Sequence, residues 1–307
     1  MSTDNNEAAD EMSRCASCGT TENDDIKLRK CTACQLVRYC GVKCQKEHWK
    51  KHKKECRKRA TELRDELLFK QPEGSHLGDC PICFIPLPLK SEKAVMMPCC
   101  SKVVCEGCNY ASQKRDAEEG LEIKCPFCRH TAPKLRVELD RILMKRIEKN
   151  DPVALQFVGT EHNVKGDYKS AFEYWTKAAE LGDALAHYQL SCFYSEGKGV
   201  EKDEKKERYH LEQAAIGGHP EARYYLGLFE LKDGRVAHVD RALNHWIIGA
   251  NLGDDKSFEH VKKFYQGGVA LDFAAVLRAY QAAVDAMKSP HREAAEGDRE
   301  WKDRVLM

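Results

Sequence analysis

Fifteen of the sixteen cysteines fall within the first 128 residues, in two blocks whose spacing suits tetrahedral metal. The first block reads Cys15-x2-Cys18, Cys31-x2-Cys34, Cys40-x3-Cys44 and His52-x3-Cys56. The second reads Cys80-x2-Cys83, Cys99-Cys100, Cys105-x2-Cys108 and Cys125-x2-Cys128. Each block offers ligands for two sites, so the expected cofactor is Zn2+, about four ions per chain. A segment this short buries too little apolar surface to fold by itself, so metal must supply much of its folding energy. The competing reading is a disulfide framework. It requires an oxidising compartment, and the acidic, polar N-terminus is no secretory signal. A cytoplasmic or nuclear location is therefore expected.

At 307 residues the chain has room for two or three domains. No apolar run approaches the roughly 18 residues of a membrane span. The formal charge is +1. Counting fifteen zinc-bound cysteines as thiolates, together with four zinc ions, lowers it to about −6, which weakens any global case for nucleic-acid binding. The basic run Lys50, Lys51, Lys53, Lys54, Arg57, Lys58, Arg59 is the local exception. It suits nucleic acid or a nuclear import signal. It equally offsets thiolate charge on an exposed helix, the reading favoured here, because it lacks the interleaved aromatics of a single-strand binding surface.

Lys43 to Lys54 lacks Gly and Pro, so a helix is expected there, with His52 and Cys56 one turn apart on one face. The whole first block resembles the MYND zinc finger. That resemblance implies interleaved ligation: Cys15, Cys18, Cys40 and Cys44 for one zinc, Cys31, Cys34, His52 and Cys56 for the other. It also implies a protein-interaction module for short proline-containing peptides, with Gln45 and Trp49 at the groove. Trp49 packing against the metal core is the alternative. His48 falls outside the family register and is read as a surface histidine.

The second block resembles a RING finger from Cys80 to Arg129, carried by Cys80-Pro-Ile-Cys83, Cys105-Glu-Gly-Cys108 and Cys125-Pro-Phe-Cys128-Arg129. The resemblance implies that Cys80, Cys83, Cys105 and Cys108 share one zinc, with Cys125 and Cys128 on the other. The centre departs from the family. Cys99 and Cys100 are adjacent, and Lys102 stands where a histidine is usual. Either both cysteines ligate or the second site is incomplete. RING fingers recruit a ubiquitin-conjugating enzyme, and Ile82, Pro126 and Arg129 match the contact positions for enzyme and ubiquitin. The alternative is that Ile82 and Pro126 only pack the knuckles.

Arg57 to Lys70 has Leu63, Leu67 and Leu68 at helical spacing, and Gln71 to Gly78 reads as a linker. Tyr110 to Gly120 and Pro133 to Asn150 also read as helical. Beyond Asp151 a repeat emerges. Ala178-Ala-Glu-Leu-Gly182 recurs at Ala214 to Gly218 and at Gly249 to Gly253. Each glycine suits a helix C-terminus with left-handed backbone. Ala154, Ala186, Ala222 and Ser257 open the complementary segment of each copy.

The pattern resembles Sel1-like repeats, relatives of tetratricopeptide repeats, with Tyr194-Ser-Glu-Gly-Lys-Gly-Val200 matching the loop between helices. About three and a half copies are expected, capped by a helix over Leu271 to Met287. Such solenoids bind partner proteins on a concave face. Tyr188, Tyr224 and Tyr225 either line it or fill the core, and Cys192 is expected to be buried. His187, His210, His219, His238, His245 and His260 share no metal spacing, and no catalytic residue is assigned.

The expected fold class is mainly α: two small zinc-stabilised cross-braced modules followed by an α-helical repeat solenoid. The expected divisions are a disordered leader (1–14), a MYND-type finger (15–56), a helix and linker (57–78), a RING-like finger (79–130), a connecting helix (133–150), a repeat solenoid (151–288) and a polar tail (289–307). The expected function is an interaction scaffold or adaptor whose MYND and repeat domains each bind partner proteins. A RING-type ubiquitin ligase is the alternative, and a nucleic-acid-associated regulator a weaker one.

Overall fold

The computed structural model describes residues 14–232 and 238–298. The expected leader except Arg14, the stretch 233–237 of the expected solenoid and the last part of the polar tail lie outside the described residues. The chain divides into two compact units, one ending at Lys70 and the other starting at Gln71. No described helix is long and apolar enough to cross a membrane.

In the first unit a two-residue antiparallel ladder, β1 (Arg29–Lys30) with β2 (Arg38–Tyr39), precedes α1 (Val42–Leu68). The two helical stretches read from the sequence are one helix of 27 residues, since no Gly or Pro interrupts Val42 to Leu68. Few of its side chains are buried, His52, Cys56 and Leu68 among them. Its charged surface carries the spaced pairs Lys58–Glu62, Arg59–Glu62 and Arg59–Glu66. Exposed pairs of this kind add only about 0.2–1 kcal/mol each, so the metal ligands must do most of the anchoring.

The second unit begins with the RING-like block. β3 (Ala94–Met97) pairs antiparallel with β4 (Lys102–Cys105), which runs directly into α2 (Glu106–Glu118). Leu87, Met97 and Val104 pack among the cysteines to form its small core. α3 (Arg136–Ile147) follows and buries Leu143.

The solenoid consists of α4 (Pro152–Val164), α5 (Tyr168–Glu180), α6 (Ala184–Glu196), α7 (Glu204–Ile216), α8 (Pro220–Lys232), α9 (Val239–Asn251), α10 (Asp255–Gln266) and α11 (Phe273–Ala286). Successive helices pack as hairpins, and each hairpin packs on the next. Asp151, Asp167, Asp183, Asp203, Asp254 and Asp272 all cap helix N-termini through their carboxylates. Each such cap contributes about 1 kcal/mol. The repeat glycines are left-handed, with φ of 87° at Gly182, 83° at Gly218 and 90° at Gly253.

One packing device recurs. A Cβ on Gly159 would lie 2.5 Å from the Trp175 ring, and one on Gly227 would lie 2.3 Å from Trp246 Nε1. Both indoles are fully buried. Each donates Nε1–H to a carbonyl of the partner helix, Trp175 to Gln156 and Trp246 to Tyr224, both at 3.1 Å. In the middle hairpin the equivalent positions hold Ser191 and Leu211, both buried, and Ser191 Oγ donates to Tyr188 O at 2.6 Å.

Two segments differ from the sequence reading. The stretch Gln71 to Gly78 is pinned along the solenoid rather than left as a free linker. His76 N–H donates to Gly218 O at 3.0 Å, and a Cβ on Gly218 would meet Gly74 O at 2.7 Å. The expected polar tail contains α12 (Pro290–Gly297), which packs on α2 and buries Ala295 against Tyr110. Its eight residues were too short and too polar to stand out as a helix.

Candidate metal centres

Four chain segments make the same turn. Gly19, Gln35, Phe84 and Arg129 each follow the second cysteine of a C-x2-C pair, and each has left-handed backbone, with φ of 75°, 59°, 58° and 62°. The N–H of each donates back to the carbonyl of the first cysteine, at 2.9, 2.9, 2.8 and 3.0 Å. This closed turn aims both thiols at one point. The pair Cys105 and Cys108 is built differently, on a helix start. Cys105 caps α2, its sulfur accepting from Cys108 N–H, and the helix dipole there favours a thiolate.

These supports gather sixteen ligand atoms into four groups: Cys15, Cys18, Cys40, Cys44; Cys31, Cys34, His52, Cys56; Cys80, Cys83, Cys105, Cys108; and Cys99, Cys100, Cys125, Cys128. Within each group all ligand atoms lie within 4.8 Å of one another. Sulfur separations are 3.6 Å for Cys18–Cys40, 3.7 Å for Cys31–Cys56, 3.8 Å for Cys83–Cys105 and 3.9 Å for Cys100–Cys125. A tetrahedral zinc with Zn–S near 2.3 Å places its sulfurs about 3.8 Å apart, so the donor sets fit zinc. Cys34 Sγ lies 3.2 Å from His52 Nε2, which identifies the nitrogen that faces the site.

Ionisation tells the same story. Hydrogen bonding to Thr20 draws the Cys18 thiol down to about 6, while contacts with Cys44 and Cys18 push Cys40 up to about 12. Four adjacent thiolates repel, and a divalent cation lets all of them ionise together.

The adjacent Cys99 and Cys100 both turn their thiols into the fourth group, whose ligand atoms all lie within 4.8 Å of one another. The turn that permits it places Ser101 at φ 55°. Lys102 is exposed and reaches over the Phe127 ring at 5.9 Å, away from any ligand role.

His48 is no free surface histidine. It is half-buried, stacked on His52 with ring centroids 5.6 Å apart, and hydrogen-bonded to Tyr39 Oη at 3.1 Å. It continues the row Cys44, His48, His52, Cys56 down one face of α1. Gln45 is half-buried, and Trp49 is exposed (41%). In the RING-like block Ile82 packs on the small core, Pro126 is half-buried, and Arg129 is exposed. Phe84 (79% exposed), beside Ile82's pair, escaped sequence reasoning. The C-x2-C turn itself was the signal, since it forces the following side chain outward.

In the solenoid Tyr225, Leu228, Phe229 and Tyr194 line an open groove of about 600 Å³ rimmed by Lys202 and Lys232. Tyr224 packs on the last hairpin's core, Tyr188 stacks on His219, and Cys192 is half-buried rather than buried. His187 and His210 meet through their Nδ1 atoms at 2.9 Å. Among the described residues no third ligand joins them.

Residues 15–56 match the MYND finger family. Residues 154–183 and 184–219 match the Sel1 repeat family. DAP3-binding cell death enhancer 1 of Rattus norvegicus is 26% identical over 183 residues, covering 46% of this chain and 35% of that protein, and its Mus musculus counterpart is 27% identical. The chain thus spans about a third of the length of these relatives. Histone-lysine N-methyltransferase ASHR1 of Arabidopsis thaliana is 52% identical over 54 residues, 18% of this chain and 10% of that enzyme. A Sel1 repeat protein from Oxalobacter formigenes overlays with a TM-score of 0.44 at 24% identity, covering 59% of this chain and 72% of that one. The chain is a zinc-binding protein that carries a MYND finger and Sel1 repeats, both protein-interaction modules.

Proposed function

We propose that the chain is a two-handed adaptor. The MYND finger takes a short proline-containing peptide, and the solenoid groove takes a second protein. The observation that carries this reading is Trp49, a large aromatic left 41% exposed on a helix whose neighbouring turns are locked by metal ligands. Exposed, pre-ordered aromatics are the residues that dominate peptide-binding energetics. Gln45, one turn earlier, supplies an amide for the peptide backbone. The groove at Tyr225, Leu228 and Phe229 offers the solenoid's apolar contact. The relative named for binding DAP3 supports a protein ligand and adds no identity to it here. Sixteen unpaired cysteines suit a reducing compartment, cytoplasm or nucleus.

The test is calorimetric titration of the zinc-loaded protein with a panel of proline-containing peptides. Trp49→Ala should weaken the best binder by at least about tenfold. Equal affinity in the variant would refute the groove.

A second reading, a RING-type ubiquitin ligase, is favoured by the convergence of Cys99, Cys100, Cys125 and Cys128. That group completes the metal set around Ile82, Pro126 and Arg129. Ubiquitin discharge from charged conjugating enzymes, accelerated by the protein and lost in Ile82→Ala and Arg129→Ala, would support it. No acceleration across a broad panel leaves the adaptor alone.

A further inference from the structure

We propose that Arg146 and Arg292 tie the two metal sites of the RING-like block to the two ends of the solenoid, acting as positioning residues for the cysteine ligands. The inference rests on reading both cysteine groups of that block as zinc sites.

At the start of the solenoid, Arg146 stands in the last turn of α3. Its Nε donates to Ser101 Oγ and its Nη2 to Cys100 O, each at 3.1 Å, and Nη2 also pairs with the Asp151 carboxylate. Asp151 is the N-cap of α4, accepting from Val153 and Ala154. One guanidinium therefore joins the turn that presents Cys99 and Cys100 to the first helix of the solenoid.

At the far end, Arg292 of α12 is almost fully buried (6% exposed). Its Nη1 donates to Pro86 O at 2.8 Å and to Met287 O, and its Nη2 donates to Ile85 O at 3.3 Å and faces Cys83 Sγ at 3.9 Å. Met287 is the C-cap of α11. The backbone of α12 presses on the ligand pair itself, since a Cβ on Gly107, between Cys105 and Cys108, would lie 2.6 Å from Arg292 N. Tyr110 Oη–H to Asp298 at 2.9 Å and the Lys93–Glu296 pair hold the helix in place.

The chemistry suits the geometry. A zinc ion with four thiolates carries a net charge of about −2, and a guanidinium beside one sulfur offsets it. The same fork fixes the carbonyls that follow Cys83, and a lysine, with its single ammonium, lacks that fork. Groups that orient metal ligands from behind govern how long the metal stays. By reciprocity, metal in the block orders the solenoid ends.

The experiment uses the full zinc-loaded chain. Zinc content is measured by mass spectrometry. Release into a chelating dye is followed over time, with each cysteine group assigned by alkylation mapping. Arg292→Ala should speed release from Cys80, Cys83, Cys105 and Cys108 by about 10–100-fold, and Arg146→Ala from Cys99, Cys100, Cys125 and Cys128, with both MYND groups unchanged. Arg292→Lys, the gentler variant, should still speed release from its own group if Arg292→Ala fails to fold. Release unchanged in the lysine and alanine variants, or raised alike at all four groups, would overturn the clamp. Wild-type protein holding zinc only in the MYND groups would overturn the zinc reading of the block, and the clamp with it.

Discussion

The two metal blocks are equal in ligand count and opposite in how they are supported. In the MYND block, three ligands of the two sites, Cys44, His52 and Cys56, ride on the single helix α1, and His48 and Tyr39 brace His52 from within the same block. In the RING-like block α2 contributes Cys108 and its N-cap Cys105, and the remaining ligands sit on turns. Those turns receive their outer hydrogen bonds from Arg146 and Arg292, the latter 209 residues from Cys83 in sequence. A long ligand-bearing helix makes a metal block self-sufficient. Ligands carried on turns make it depend on distant chain.

The strongest way to break this comparison is to remove a MYND ligand. His52→Ala should abolish zinc at its own group and unfold the finger, because structural zinc contributes about 10–16 kcal/mol to such a module. Hydrogen exchange should then show residues 15–56 unprotected and the solenoid unchanged. Residues 15–56 still protected in the variant would show that the finger does not need this zinc, and loss of protection in α4 to α11 would show that the solenoid leans on the finger.

A cleaner comparison sets two fragments side by side. Residues 14–70 should keep zinc with the release rate they have in the full chain. Residues 79–132, cut away from Arg146 and Arg292, should release it about 10–100-fold faster. Similar behaviour of the two fragments would erase the distinction.

The sequence revealed the ligand pairs because a C-x2-C turn is local chemistry, legible from residue type and spacing. Which pair joins which is a fact of three dimensions, and the spacing of Cys31 to Cys56 holds no trace of it. The repeat was legible because Gly182, Gly218 and Gly253 mark helix ends by backbone conformation, a property of the residue itself. The Gly159–Trp175 and Gly227–Trp246 pairs were visible as letters, but only the packed hairpins show that each glycine is the space for its tryptophan. Arg146, Arg292 and His76 gave no signal. An arginine that binds carbonyls is indistinguishable in sequence from one in solvent, and its partners lie in other elements.

That packing sharpens the comparison from the solenoid side, where stability comes from shape rather than metal. Gly227→Ala should destabilise the solenoid by about 1–3 kcal/mol, since the new methyl must displace the Trp246 ring. Gly159→Ala should act alike against Trp175, whereas Ser191→Ala, at the equivalent position of the middle hairpin, adds no atoms and should cost less. Denaturant midpoints would measure all three, and zinc content should be unaffected in each. A Gly227→Ala protein as stable as the wild type would show that the Trp246 pocket can yield.

The smallest expected effect is the pH response of the segment that leads from α1 to the RING-like block. His76 stacks on His219 at 4.3 Å between centroids, and Tyr188 stacks on His219 at the same distance. Burial lowers His76 to about 4, and burial with the neighbouring His76 lowers His219 well below the usual histidine range. Both rings are therefore held neutral in the folded chain, while in the unfolded chain they protonate near 6.5. A depressed histidine contributes stability that is fully present above its unfolded value and is lost as pH falls toward its folded one. Between pH 7 and 5.5 the docking of Gln71 to Gly78 should weaken by about 1 kcal/mol from His76 alone. The check is amide exchange of that segment, corrected for intrinsic rates, in the wild type and in His76→Phe. The phenyl ring keeps the stack and cannot protonate, so its exchange should lose most of the pH dependence. Acid also loosens thiolate-bound zinc, but that loss would be common to both proteins. A pH response unchanged by the substitution would therefore belong to the metal sites and not to the histidine stack.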